Sequence, residues 1–402
     1  MNNQNFVPFL QKNWEEAGFQ KPALIQSKVY DLISEGKNLV GIAPTGSGKT
    51  LAYLLPLINR LEAGIPSQVL VLTSSQELAM QVVEVARSWI SGSGMKVQPL
   101  IGGANVKRQQ EALKKKPELL VGTPGRVLEL IMAKKIKAPN IKTLVFDEVD
   151  QLVQGQSLQL IRNILKATDN NAQHLYFSAT ADVVLDELNK IESELIVVDV
   201  SEEDDSQGEV QHFYLETSER KKVDQLRRLL NLPEFLGMIF FNQLSDMGSA
   251  EEKLLYHQLP VASLASDQSK ISRKGAIEQF KKHQILGLLT TDLASRGLDI
   301  EALPFVINVD VPLSEESYLH RAGRVGRMGN AGVVISFVTP QEKSDLIKIA
   351  KKLNLAISPI YLFGGELLTE EPIKQSEPKK KKSKKSKGKR PVSYTHLRAH
   401  ET

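Results

Sequence analysis

Ala43, Pro44, Thr45, Gly46, Ser47, Gly48, Lys49 and Thr50 follow a short apolar run, Asn38 to Ile42, and open a helix-period segment. Glycines in that place let the backbone curl, so that its N–H groups converge on phosphate oxygens at a helix N-terminus. Lys49 can then reach the terminal phosphates of a nucleotide, and the Thr50 hydroxyl can ligate Mg2+. A plain Gly-rich turn needs no Lys-Thr pair, so the agreement of strand, loop, Lys-Thr and helix favours a phosphate loop. Further along, Asp147, Glu148, Val149 and Asp150 end another apolar run. A carboxylate at a strand's C-terminal edge beside a phosphate loop is where Mg2+ needs an anionic partner. Asp147 suits that role, holding the metal through water, and Glu148 suits a group that orients or deprotonates an attacking water.

Three more blocks could complete such a site. Ser178, Ala179 and Thr180 follow the next apolar run, the stretch from Thr291 to Asp299 comes later, and His320 to Arg327 later still. Arg321, Arg324 and Arg327 are spaced by three, so a helical stretch would bring them near one face. Such a basic face is commonly just solvated. Here, though, a phosphate site without an arginine of its own is complemented by a second domain that offers several.

The elements that must hold these groups read as strands alternating with helices. Val69 to Thr73, Leu119 to Gly122, Thr143 to Phe146 and His174 to Phe177 are buried-strand candidates; Lys49 to Leu61, Gln76 to Ile90 and Gly125 to Ala133 have helical period. Near-continuous apolar strands between helices imply a parallel sheet covered on both faces. Ser201 to Glu209 is acidic, lacks apolar side chains and reads as a linker. Alternation resumes with Met238 to Phe241, Leu286 to Thr290, Phe305 to Val309 and Val333 to Val338. The expectation is two α/β domains, 1–200 and 210–363, joined by a linker at 201–209, with order fading after Phe363 into a basic tail, 364–402.

Composition sets bounds on this reading. With 41% hydrophobic and 24% charged residues in 402, the chain suits globular domains that bury sizeable cores. No apolar run is long enough to span a bilayer, and residues 1–10 lack a secretory pattern. There are no cysteines, which excludes disulfides and thiolate metal sites and suits a reducing, cytoplasmic setting. The net charge of +4 belongs to the tail, where Lys379 to Arg390 holds eight Lys and one Arg. The rest is mildly acidic, so nucleic-acid binding by the core depends on local groups rather than on overall field. The last residues, Pro391 to Thr402, resemble translated adapter DNA.

In this order the blocks resemble the DEAD-box branch of superfamily 2 helicases, over roughly residues 9 to 340, and most closely the short bacterial YfmL-like group. The signature quartet reads Asp147-Glu148-Val149-Asp150, and Gly18 to Gln26 resembles the segment by which that branch reads adenine. The resemblance implies two tandem RecA-like domains, ATP and Mg2+ as cofactors, and RNA unwinding by a monomer. By the same carry-over Gln26 selects ATP and Phe9 supports the base, while Gly297 and Asp299 help close the nucleotide site. Arg324 and Arg327 contact the γ-phosphate. Asp150, Ser178, Ala179, Thr180, His320 and Arg321 couple hydrolysis to strand separation.

Gly102, Gly103, Thr123, Pro124, Gly125, Arg126, Arg273 and Thr291 line the RNA sugar-phosphate backbone by this resemblance, giving affinity without sequence choice. It suggests ribosomal RNA or pre-ribosomal particles as the context. The chain departs from the family where the block usually read Pro-Thr-Arg-Glu-Leu-Ala is Ser74-Ser75-Gln76-Glu77-Leu78-Ala79, and at Ala265, Ser266, Lys270 and Val325. These changes weaken the RNA-facing set more than the hydrolytic one. Two other readings stay open: an ATP-gated clamp that holds RNA with little unwinding, and a DNA-translocating helicase on the same core.

Overall fold

The computed structural model describes residues 5–372, apart from 20, 154, 180–181, 189, 193, 202, 204–207, 266–267, 296–299, 301–302 and 327–329. The apolar runs assemble into two parallel seven-stranded sheets. The first comprises β1 (Leu39–Ile42), β2 (Val69–Leu72), β3 (Val97–Leu100), β4 (Leu119–Gly122), β5 (Thr143–Asp147), β6 (Gln173–Ser178) and β7 (Ile196–Asp199). Their spatial order is β3-β4-β2-β5-β6-β1-β7.

The second comprises β8 (Val210–Glu216), β9 (Gly237–Phe241), β10 (Val261–Leu264), β11 (Gly287–Thr291), β12 (Phe305–Asn308), β13 (Gly332–Val338) and β14 (Ile357–Pro359). Its order, β10-β11-β9-β12-β13-β8-β14, repeats that of the first sheet when counted from its own first strand. The chain is thus two copies of one α/β architecture in tandem.

Alternate residues of the central strands feed opposite cores, which is why those strands read as unbroken apolar runs. Val69 and Val71 join one core of the first domain, Leu70 and Leu72 the other. Ile239 and Phe241 divide from Met238 and Phe240 in the same way. Each such buried side chain stabilises the fold by about 1.5–3 kcal/mol. Because all strands of a sheet run parallel, their C-terminal ends share one edge. The first-domain motifs leave from that edge: the phosphate loop after β1, Ser74 after β2, Gly102 and Gly103 after β3, Thr123 after β4, Glu148 after β5 and Ala179 after β6.

Of the acidic stretch, residues 202 and 204–207 lie outside the described residues. Glu203 pairs with Lys28 at 3.3 Å, and the Gly208 N–H donates to the Gly326 carbonyl at 2.9 Å. At the other end, order does not fade after Phe363. Gly364 and Gly365, with φ of 62° and 86°, turn β15 (Tyr361–Phe363) back onto β16 (Glu366–Leu368), and Leu362 and Leu367 pack on a second-domain core. Two glycines make the tight turn that a purely compositional reading of this Glu- and Pro-rich stretch misses. The lysine tract at 379–390 lies outside the described residues. Among the described residues no helix is long and apolar enough to cross a membrane.

Candidate active site

β1 delivers the phosphate loop. Gly46 and Gly48 take left-handed φ of 85° and 87°, and Gly48 precedes the helix Lys49–Asn59. A Cβ at Gly48 would lie 2.6 Å from Gln26 Nε2, the movable end of a side chain, so it is the left-handed backbone that demands glycine. Lys49 Nζ donates to the Ala43 and Pro44 carbonyls at 2.6 and 2.8 Å, which curls the loop around the ammonium. The Ser47 hydroxyl is buried and finds no partner among the described residues. Such a hydroxyl at a helix N-terminus suits an incoming phosphate oxygen.

Gln26 closes on this loop from behind. Its Oε1 accepts from the Ala23 N–H at 3.0 Å, and its Nε2 donates to the Gly48 carbonyl at 3.2 Å. The amide to which the resemblance gives adenine reading is thus tied to the phosphate loop. Phe9 sits on the helix Pro8–Glu16, half-buried against the first-domain core. Phe19 is 45% exposed and stacks on Trp89 with ring planes 2° apart.

β5 delivers the carboxylates. Asp147 is buried; its Oδ2 accepts from Tyr53 Oη at 2.8 Å and its Oδ1 from the Glu148 N–H at 3.1 Å. Burial, reinforced by the Glu148 charge, pushes the Asp147 carboxyl up to about 6 in spite of Tyr53 and Lys49. A carboxylate raised by burial is one that a nearby dication stabilises strongly. Together with the Thr50 hydroxyl it is an all-oxygen donor set of the kind Mg2+ prefers. Glu148 holds a left-handed conformation, φ 50° and ψ 54°, which is uncommon outside glycine. Its Oε2 accepts from Ser74 Oγ at 2.9 Å.

Glu148 opens on a cavity of about 140 Å³ between the domains, walled by Thr45 and Gln151 on one side and Asp292, Glu316, His320 and Arg324 on the other. Thr45 Oγ1 donates to the Gly323 carbonyl at 3.4 Å, and Gln151 Nε2 donates to Glu316 Oε1. His320 Nε2 lies 3.2 Å from Asp150 Oδ2, while Asp150 Oδ1 accepts from Ser178 Oγ at 3.1 Å. Burial acts against both charges. The contact outweighs it, holding His320 above its ordinary value with help from Glu148 and Glu316, and Asp150 below its own with help from Ser178. Ala179 follows at the end of β6; Thr180 lies outside the described residues, as do Gly297, Asp299 and Arg327.

The arginine triplet is not a single face. The helix Glu315–Ala322 stops at Gly323, before Arg324. Arg321 is fully buried inside the second domain. Its Nε and Nη2 donate to the two Asp292 carboxylate oxygens at 2.6 and 2.8 Å, Nη2 also to Asn242 Oδ1 at 2.7 Å, and Nη1 to the Asp310 carbonyl at 3.0 Å. Arg321 braces its own domain, and only Arg324 of this pair reaches the cavity. Spacing by three aligns side chains only while the helix lasts.

The remaining motifs lie at the C-terminal edges of the two sheets and on the helices that follow. A Cβ at Gly102 would lie 3.3 Å from Gln76 Nε2, which places that amide against the Gly102–Gly103 loop. Arg126 Nε donates to Glu129 Oε2 at 2.8 Å and Nη1 to the Ala104 carbonyl at 3.2 Å, so its cation braces that loop. Thr123 and Pro124 start the helix Pro124–Met132, with Gly125 exposed. Thr291 is buried at the end of β11. Arg273 Nε lies 3.9 Å from Glu77 Oε1 across the domain boundary, and its Nη2 donates to the Ala294 carbonyl. Beside that pair a cleft of about 750 Å³ separates the helices Gln76–Trp89 and Lys270–Lys281. Sequence reasoning missed Tyr53, Ser74 and Gln151 as site residues. Ser74 is brought in by strand pairing, Gln151 by domain contact and Tyr53 by the packing of its helix on the sheet, none of which a local pattern announces.

A family model described as DEAD/DEAH box helicase matches residues 23–188, and one described as helicase conserved C-terminal domain matches residues 221–329. The "Probable ATP-dependent RNA helicase YfmL" of Bacillus subtilis is 43% identical over 368 residues, spanning 91% of this chain and 97% of that protein. Among solved structures, S. cerevisiae Dbp5 bound to RNA and ADP BeF3 is similar with a TM-score of 0.80 and 27% identity, over 88% of this chain and 94% of that one. A variant of Dbp5 bound to nup159, gle1, ip6 and ADP reaches only 0.61, with 27% identity over 88% and 95%. The two domains here are therefore set more nearly as in the RNA-bound form of that protein.

Proposed function

Because the chain belongs to the DEAD/DEAH box helicase family, we propose that it is an ATP-dependent RNA helicase. It grips single-stranded RNA by its sugar-phosphate backbone, closes its domains on ATP and strand, and locally separates RNA duplexes as ATP is hydrolysed to ADP and phosphate. The observation that carries this reading is the cavity where Glu148 of the first domain and Arg324 of the second face one space.

The phosphate loop binds the triphosphate through its N–H groups, the Ser47 hydroxyl and Lys49. Asp147 and Thr50 would hold Mg2+, which when bound neutralises charge on the terminal phosphates. Glu148 orients the attacking water and takes its proton. Arg324 offsets the charge that grows on the γ-phosphate, and it can do so only when the domains are together. Gly102, Gly103, Thr123 and Gly125 present backbone to the strand, which suits an enzyme with little sequence preference.

Steady-state ATP hydrolysis with and without single-stranded RNA tests this reading. Lys49→Ala, Glu148→Gln and Arg324→Ala should each lower RNA-stimulated turnover by at least about 10²-fold. Near-normal turnover in any of them refutes the role given to that residue. We place the RNA among ribosomal or pre-ribosomal species on the resemblance to the short bacterial group; crosslinking in cells followed by sequencing tests that. A second reading, an ATP-gated RNA clamp, is favoured by the neutral Gln76 and by the hydrogen bonds within the chain that already engage Arg126 and Arg273. ATP-driven displacement of a short RNA duplex decides against it.

A further inference from the structure

Strand register brings Ser74 to Glu148. β2 pairs with β5 in parallel, Leu72 against Phe146, so the residues that leave the two strands emerge side by side. Ser74 Oγ donates to Glu148 Oε2 at 2.9 Å, the one hydrogen bond described to that carboxylate. We infer that Ser74 is a positioning residue for hydrolysis: its hydroxyl fixes one Glu148 oxygen and leaves the other to orient water. The inference rests on the role given to Glu148 above.

The same turn runs straight to the RNA-facing edge. Thr73 Oγ1 donates to the Ser75 carbonyl at 3.0 Å, and Ser75 Oγ accepts from the Leu78 N–H at 3.1 Å. Residues 73–78 are thereby held as one piece, from the end of β2 into the first turn of the helix Gln76–Trp89. Gln76 on that piece lies against Gly102 and Gly103. A strand seated on those glycines bears on the same turn that holds the carboxylate. The family block usually has proline at position 74, which carries no hydroxyl, so this link is supplied by the chain's own departure from the pattern.

The test compares Ser74→Ala, Ser74→Thr and Glu148→Gln in the full chain. It measures ATP hydrolysis at saturating single-stranded RNA, and RNA affinity with a non-hydrolysable ATP analogue. Ser74→Ala should lower kcat by about 3- to 10-fold, as loss of an orienting hydrogen bond does, while the KM for ATP and the RNA affinity stay within about twofold. Ser74→Thr, which keeps the hydroxyl, should recover most of the loss. Three results would overturn the inference: unchanged kcat in Ser74→Ala, an equal loss of RNA affinity and kcat, or no recovery with threonine. Normal turnover in Glu148→Gln would instead sink the reading of Glu148, and the inference with it.

Discussion

Thr45 and Gly323 meet across the domain boundary so closely that a Cβ on Gly323 would lie 2.0 Å from Thr45 Oγ1. The helix Glu315–Ala322 can approach the phosphate loop only because it ends in glycine.

Gly323→Ala should therefore obstruct closure. The backbone there is ordinary for any residue, so the effect is steric, and overpacking of this kind costs about 1–3 kcal/mol. ATP-dependent RNA affinity should fall by about 10-fold or more, while the thermal stability of the chain holds. An unchanged affinity, measured with a non-hydrolysable analogue, would show that the domains do not need this contact.

The His320–Asp150 pair gives closure a pH dependence. His320 is raised by the contact, so its contribution is present below the ordinary histidine pKa and lost as pH rises through the raised value. Asp150 is lowered, so its contribution is present above the ordinary aspartate pKa and lost only as pH falls through the lowered value. RNA affinity in the ATP-analogue state should weaken on the alkaline side, and His320→Gln should flatten that limb. A limb of equal steepness in the variant would assign it to another group.

Arg321→Ala should unfold the second domain rather than slow chemistry. It removes a fully buried guanidinium and leaves Asp292 and Asn242 without their partner; because Asp292 is part-exposed, the cost falls toward the lower end of the about 3–5 kcal/mol that breaking a buried pair takes. Denaturant titration should show one of two transitions moved to much lower denaturant. Arg321→Lys should rescue little, since an ammonium cannot replace a planar fork. Wild-type stability with reduced turnover would mean that Arg321 acts at the nucleotide instead.

Gln76→Arg should strengthen the RNA-facing edge. The side chain already lies against Gly102 and Gly103, so a cation there would face a bound phosphate. We expect ATP-dependent RNA binding to tighten by about 0.5–1.5 kcal/mol, with the single-strand salt slope steepened by about 0.7. Titration of labelled RNA at two salt concentrations checks both. Equal affinities at low salt would place position 76 away from the strand.

What could be read from the sequence was what is local. The phosphate loop, the strand ends and the carboxylate quartet are each set by a few consecutive residues, and the central strands of both sheets follow from apolar runs, whereas β3, β7, β8, β10 and β14 are not read that way. What the sequence hid depends on partners far along the chain. Ser74 reaches Glu148 only because β2 happens to lie next to β5. Arg321 and Arg324 have the same residue type and close spacing, yet one is sealed inside a domain and the other faces the cavity, because Gly323 ends the helix between them. Likewise Gly364 and Gly365 turn a stretch of unpromising composition into a hairpin.

The repeated strand order has a consequence for stoichiometry. β8 occupies in the second sheet the place β1 holds in the first, yet the segment leaving it, Thr217 to Lys221, has no glycine to curl around a phosphate, and Lys222, which opens the next helix, is already paired with Glu219, Asp310 and Glu342. On the roles proposed for Lys49 and Arg324, one exit binds the phosphates and the other's domain supplies the arginine. Both halves of one nucleotide site then lie in a single chain, so each closure is expected to consume one nucleotide, which titration with a labelled non-hydrolysable ATP analogue checks.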